Sequence, residues 1–358
     1  MKPPVVVVTG AAGFLGSATV IDLAPDHRVA AIDRRAPSDR LLRATPGVEW
    51  ECIDIADAER VDACLRRARA RHGRIDVVVH YAAFYHFGTD WLAEYDRTNL
   101  GGTRNILETA TRHGTRRLIF ASSVAATLPP PPGRWLTERS PANGTIPYAR
   151  SKAIGESMVA EHAPRLPAVV LRIGGVFSDW CELPPLHSLI EMWSRRGPAG
   201  RIVPGKGKTG VPYIHRADLV AAVRACIAHH QELDAYECLL ACERHAVLHE
   251  ELFPVTRRLT RGGESPRPLY VPRKAAKAGL VLAATVGRRV GVRIFEQPWM
   301  AEYIDRPWLT DCRYSEQKLQ RPPSAGFELL ERLPTIVGNR MRDPLQWELR
   351  NRRRRQGR

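Results

Sequence analysis

The stretch VVVVTGAAGFLG, Val5 to Gly16, limits what this chain can fold into more than any other. Four consecutive valines make a strand suited to burial on both faces. Gly10, Gly13 and Gly16 follow where that strand must give way to a helix. Glycine there permits a tight turn, then close approach of backbone to a pyrophosphate, then close packing of helix on strand. The helix opening at Phe14 and Leu15 turns its unpaired N–H groups toward the phosphates. The spacing G-x-x-G-x-x-G is one residue longer at its start than the common dinucleotide fingerprint, but the strand-to-helix context is the one that fingerprint needs.

The rest of the first half keeps the same cadence. Apolar runs begin at Val5, Arg28, Val48, Ile75, Arg117 and Ala168, and helix-length segments such as FLGSATVIDLA, ADAERVDACLRRARAR and NLGGTRNILETATRH lie between them. Such alternation predicts an α/β chain: a Rossmann-type doubly wound parallel sheet of about seven strands with a smaller C-terminal substrate-binding lobe. Beyond Arg172 proline and glycine become frequent and the cadence turns irregular. The expected division is a dinucleotide-binding core over 1–175, to which 212–242 returns. A substrate lobe follows from 176–211 and 243–345, and a disordered basic tail from 346–358. Within the lobe, KAAKAGLVLAATVGRRVGVRIF from Lys274 has an apolar middle too short to span a bilayer. It reads as a buried helix rather than one lying on a membrane surface.

Charge and cysteine usage bound the surroundings. The net charge is +16, and the last nine residues, RNRRRRQGR, hold six arginines. The expected state of that block is a solvated tail, with weak contact to a membrane surface through the basic C-terminal region as the alternative. No nucleic-acid module with interleaved aromatics accompanies it, so no specific nucleic-acid partner is expected. Seven scattered cysteines make no disulfide framework, and the N-terminus carries no apolar signal segment; both point to a cytoplasmic protein. His86, His187 and His215 lack partners at metal-ligand spacing, so no metal is expected.

Asp33 ends the second apolar run, about twenty residues past the glycines, where a carboxylate holds the adenine ribose hydroxyls. That favours NAD; Arg34 and Arg35, immediately after it, keep NADP open. Asp54 is placed either to meet the adenine amino group or to cap a helix. In IPYARSKAIGE, Tyr148 stands one helical turn ahead of Lys152, on a face otherwise small and polar. A lysine ammonium beside a phenol favours the phenolate. Bringing a phenol from about 10 to near 7 takes roughly 4 kcal/mol.

In order along the chain, TGAAGFLG, HYAAF from His80, NLGGTRN from Asn99, FASSVAA, YARSK and PYIHRADLVAAV make a set of landmarks. Together they resemble the extended short-chain dehydrogenases/reductases, the NAD-dependent epimerase/dehydratase family. The resemblance implies that Tyr148 is the general acid/base, that Lys152 lowers its pKa and holds the nicotinamide ribose, and that Ser123 positions the reacting oxygen, with Ser122 as the neighbouring alternative. It also implies a cofactor site that includes Gly10, Gly13, Phe14, Leu15, Gly16, Asp33, Arg34, Asp54, Ile55, Tyr81, Ala82, Ala83, Asn99 and Ser122, with Asn99 more structural than chemical. Homodimers are frequent in the family, which makes a homodimer an expectation here.

The family shares a hydride step but not a substrate. Its nucleotide-sugar epimerases usually read L-R-x-x-N after the sixth strand, whereas this chain reads LRIGGVFSD, with Gly174 and Gly175 in that place. Phe84, Tyr85, His86, Val124, Gly175 and Trp180 are the pocket candidates, and the aromatic FYHFGTDW segment points to a lipophilic or aromatic alcohol or ketone. The small-molecule alternative is a nucleotide sugar, epimerised or dehydrated on a retained NAD. A nicotinamide-sensing protein without catalysis is the third reading, disfavoured by the presence of Ser123, Tyr148 and Lys152 together.

Overall fold

The apolar runs become strands within a residue or two of their predicted starts. In a computed structural model, which describes residues 3–289, 295–320 and 326–355, they are β1 (Val5–Thr9), β2 (Arg28–Asp33), β3 (Glu49–Cys52), β4 (Val77–His80), β5 (Arg117–Ser123) and β6 (Ala168–Ile173). The edge strand Tyr236–Ala241 completes a seven-stranded sheet in the order edge–β6–β5–β4–β1–β2–β3. Every neighbouring pair is parallel. The order reverses between β1 and β4, and in such sheets the crevice beyond the carboxyl ends at that reversal is where ligands bind.

Alternation along the strands divides the core into two layers. Val6 and Val8 of β1 face a layer with Val20 and Leu23 of α1 (Phe14–Leu23) and Leu219 and Val223 of the helix Arg216–Ala228. Val7 faces the other way, toward Leu65 of the helix Ala58–His72, Ile106 of the helix Thr103–Arg112 and Val159 of the helix Pro147–His162. A buried His80 ties β4 to β1 and to the helix Thr103–Arg112, with Nδ1 2.7 Å from Thr9 Oγ1 and Nε2 3.0 Å from Thr103 Oγ1. Burial, with the Lys152 charge adding to it, brings its pKa down to about 3, so it is neutral.

A second core gathers Phe177, Leu186, Ile190, Trp193, Leu252, Phe253, Leu333, Ile336 and Trp347 around the helices Pro184–Trp193, His249–Arg261 and Leu329–Arg342. Two expectations fail here. The supposed disordered tail is helical over Pro344–Arg355. Trp347 and Asn351, one turn apart, are both only 2% exposed, and they dock it. The Trp347 indole donates to Glu191 Oε1 at 2.9 Å, and Asn351 accepts from the Glu182 amide at 2.8 Å and donates to the Trp180 carbonyl at 3.0 Å. Residues 356–358 of that tail lie outside the described residues. The segment from Lys274 is indeed helical, over Arg273–Arg289. None of its described side chains is buried, because it rides on the outside of the 3-10 turn Pro298–Tyr303. Its last expected residues, 290–294, lie outside the described residues. No helix among the described residues is long and apolar enough to cross a membrane.

Candidate active site

The helix Pro147–His162 begins with proline at its first position, where the missing N–H costs nothing. Its small residues let it press on the sheet: a Cβ on Gly155 would lie 2.6 Å from Phe120 Cζ. Tyr148 and Lys152 share its inner face and are 8% and 5% exposed, so the pair is buried rather than on a polar surface. Lys152 Nζ donates to the Ala121 carbonyl at 2.7 Å and sits 5.0 Å from the centre of the Phe120 ring. Burial draws its pKa down to about 8, against the opposing pull of Glu156. A lysine held this way is an ammonium at neutral pH that sheds its charge readily above it.

The two serines part company at the end of β5. Ser122 Oγ donates to Glu156, whose carboxylate also takes a forked pair of bonds from the buried Arg172 at 2.8 and 3.1 Å. That hydroxyl is committed to the core. Ser123 is half-buried and accepts from the Ala125 amide at 3.1 Å, which leaves its proton available to a ligand oxygen.

Asn99 lies in a π-helical segment, Tyr95–Gly102, the kind of insertion that often marks functional sites. Its side chain clamps the Phe84 peptide from both sides. It accepts from Phe84 N at 2.6 Å, donates to Phe84 O at 3.1 Å, and donates to Ser151 Oγ at 2.9 Å. The residue thus fixes the loop after β4 against the helix that bears Tyr148.

The glycine loop forms a cradle at the switch point. Gly10 has φ +67°, and a Cβ there would lie 2.8 Å from Ala82 N. A Cβ on Gly16 would collide with the Gly10 carbonyl. No side chain caps α1 and no acidic residue occupies its first turn, so the amides at Phe14 and Leu15 face the crevice without a competing carboxylate. Asp33 is buried and accepts from Ala12 N at 3.0 Å and Arg35 N at 2.9 Å, which ties the loop to the end of β2. Arg34 and Arg35 are exposed beside it. Burial disfavours the Asp54 charge, but the Ala56 amide and the Arg97 guanidinium, 2.8 Å away, hold the carboxyl below its usual range. Ile55 packs under Gly102, Ala82 N is held by Thr9 Oγ1 at 3.2 Å, and Ala83 follows half-buried. The Tyr81 hydroxyl turns inward to Thr19 Oγ1, 2.9 Å away, and burial pushes its pKa up. These donors and spaces fit a dinucleotide.

Aromatic rings cover Tyr148. Tyr85 meets it edge-on with centroids 5.0 Å apart, and Phe87 lies 5.2 Å from it. Phe84 instead packs on Tyr95, His86 is exposed, and Val124 is buried with Leu136 and Leu240. Gly175 is crowded: a Cβ would sit 3.1 Å from both Leu183 and Tyr213. Trp180 is held under the C-terminal helix, with the Arg350 guanidinium 5.4 Å over its ring. Sequence reasoning missed Trp299 and Trp308. Trp299 lies 6.4 Å from Phe87 and nearly parallel to it, and Tyr303 bridges Trp299 to Trp308. Both indole N–H groups are buried with no hydrogen-bond partner among the described residues. More than 200 residues separate Trp299 from the glycine loop, and no local motif announces it.

Glu243 was also missed. Its Oε1 accepts from Leu329 N at 2.8 Å, and its buried Oε2 has no partner among the described residues. Burial, with nearby Glu328 and Asp218, pushes its pKa up to about 8, so it is a neutral acid at pH 7. It lines a separate cavity of about 40 Å³ with Cys242 and Cys312, whose sulfurs are 3.3 Å apart.

Comparison with known proteins places these features in context. A model of the NAD dependent epimerase/dehydratase family matches residues 6–240. A dTDP-glucose 4,6-dehydratase of Streptomyces griseus is 36% identical over 168 residues, covering 44% of this chain and 48% of that protein. One from Streptomyces niveus is 30% identical over 237 residues, covering 61% and 67%. The matched part of this chain thus spans about half of the first relative and two thirds of the second. Among solved structures, the UDP-Glc/GlcNAc 4-epimerase of Campylobacter jejuni superposes with a TM-score of 0.70 at 18% identity, over 95% of this chain and 99% of that one.

Proposed function

This chain belongs to the NAD dependent epimerase/dehydratase family, and from that premise we propose that it oxidises and re-reduces a nucleotide sugar, with Tyr148 as general acid/base. The observation that carries the chemical part is the buried Tyr148 and Lys152 pair, one turn apart on a helix pressed against the carboxyl end of β5. The dTDP- and UDP-sugar chemistry of the relatives supports the substrate class.

NAD, when bound, accepts and returns the hydride. The chain supplies the rest. The Gly10–Gly16 loop and the first turn of α1 hold the pyrophosphate, and Asp33 holds the adenine ribose. Ser123 donates to the reacting oxygen and aims it at Tyr148. The Tyr148 phenolate removes the hydroxyl proton as a carbonyl forms, and the phenol returns it on reduction. The Lys152 ammonium, anchored on Ala121 O, stabilises the phenolate; such proton transfer contributes about 10²–10⁴ in rate. The scattered cysteines, with no disulfide framework, suit a reducing cytoplasm.

A second reading, oxidation of a lipophilic or aromatic secondary alcohol, is favoured by the rings of Tyr85 and Phe87 on Tyr148, with Trp299 behind Phe87, and by Gly175, where the family's asparagine is replaced and a Cβ would meet Leu183 and Tyr213 at 3.1 Å. One experiment separates the two. Purified protein is incubated with dTDP-glucose and UDP-glucose panels, and products are resolved by chromatography and mass. An isomer of unchanged mass, or a product lighter by one water, absent with Tyr148→Phe, supports the sugar-nucleotide reading. Inert sugar nucleotides together with Tyr148-dependent NADH release from lipophilic alcohols would replace it with the second.

A further inference from the structure

From the helix Arg273–Arg289 we infer a docking surface for an anionic lipid bilayer, formed by its outer face. Ala276, Leu280, Ala283 and Ala284 are half-buried, recur at helical spacing and make its inner side, where it rides on the 3-10 turn Pro298–Tyr303; Thr285, also half-buried, donates its hydroxyl to the Val281 carbonyl at 2.8 Å. Lys274, Ala278, Val281, Leu282 and Arg289 occupy the opposite side, all exposed. Leu282 is 66% exposed, and Val281 and Val286 are 48% and 49% exposed. Three large aliphatic side chains in adjacent turns form an apolar stripe with basic residues at both ends.

The charge pattern names the occupant. The seventeen residues of the helix hold five basic side chains and no acidic one. Arg273 and Lys277 pair with Glu302 of the underlying turn, and the exposed Lys274 and Arg289 bracket the stripe. Among the described residues of the helix no acidic side chain offsets these charges, so the face is apolar in its middle and cationic at its ends. A bilayer suits such a face: aliphatic side chains enter the acyl boundary and lysine and arginine meet anionic headgroups. The helix is too short and too charged at its ends to cross, so it lies in the plane. Its underside is the same turn that carries Trp299, so a docked helix brings the aromatic cover of Tyr148 within one layer of the membrane.

The test is flotation of the full chain with vesicles. Phosphatidylcholine vesicles containing phosphatidylglycerol should carry the protein up the gradient, and pure phosphatidylcholine vesicles should not. Leu282→Glu with Val286→Glu should lower the bound fraction at least tenfold. Both positions are exposed, so an unchanged thermal melt confirms that the fold is intact. Replacing Arg352, Arg353, Arg354 and Arg355 by serine should leave most of the binding. Absence of flotation on anionic vesicles would overturn the inference. So would flotation that survives the helix variant but vanishes in the arginine variant, since the C-terminal arginines would then be the contact. Concentration-dependent dimerisation abolished by Leu282→Glu would also overturn it, because a second copy would be the occupant.

Discussion

At the scale of single residues, the site is built from groups whose roles depend on which way a side chain turns. Ser122 and Ser123 are adjacent in sequence, but one hydroxyl is spent on Glu156 and the other reaches the crevice. Sequence presents both as equal choices, because strand alternation separates two neighbours without saying which face is which. Asn99 was legible as structural, and the structure shows what it holds, the Phe84 peptide. Glu243 was not legible at all, since nothing near ACERH marks a carboxyl that will be buried without a counter-ion. It supplies a prediction with a definite sign. Its folded pKa of about 8 lies above its ordinary value of 4.5. The stability it permits is therefore full below about pH 4.5 and is lost as pH climbs toward 8. Glu243→Gln keeps the acceptor for Leu329 N and removes the titration. Its unfolding free energy, from denaturant titration, should match wild type at pH 5 and exceed it at pH 8 by an amount on the order of a few kcal/mol. A difference that does not change between the two pH values would refute the buried-acid assignment.

At the scale of elements, the sheet was readable because each strand is a near-continuous β-branched run bounded by helical periodicity, and no competing pattern obscures it. The elements that misled are helices whose composition hides their contacts. RNRRRR reads as solvated, yet Trp347 and Asn351, at i and i+4, are enough to dock that helix. Conversely, the apolar middle of Arg273–Arg289 reads as buried, and periodicity alone cannot tell an inner face from an outer one. Trp347→Ala would remove a buried indole and a partner of Glu191, which Arg340 also holds. The expected cost is about 3–5 kcal/mol. Calorimetry should then show the second core melting at a lower temperature, relative to the sheet, than it does in wild type. Loss of less than about 1 kcal/mol would mean that the helix is an ornament of the lobe, not a part of it.

At the scale of the molecule, the aromatic cover of Tyr148 is drawn from distant parts of the chain. One wall, Tyr85 and Phe87, comes from the loop after β4, and the other, Trp299, comes from the C-terminal part of the chain. Trp299→Ala should raise KM about tenfold while leaving the Kd for NAD within about twofold, since its ring touches Phe87 and not the glycine cradle. With Phe87→Ala it should show a coupling of about 0.5–1.5 kcal/mol in kcat/KM, the range for an aromatic pair. Strict additivity would show that the two rings do not act together on the substrate.

The last helix has a bearing on how the molecule is made. The sheet is complete once Ala241 has been synthesised, whereas the second core lacks its Trp347 for about 100 residues more. On the ribosome the nucleotide half can therefore settle while the other half still waits for its closing piece. A stalled or prematurely ended chain would leave a finished sheet carrying an open apolar lobe, which is the kind of surface that chaperones and proteases find first.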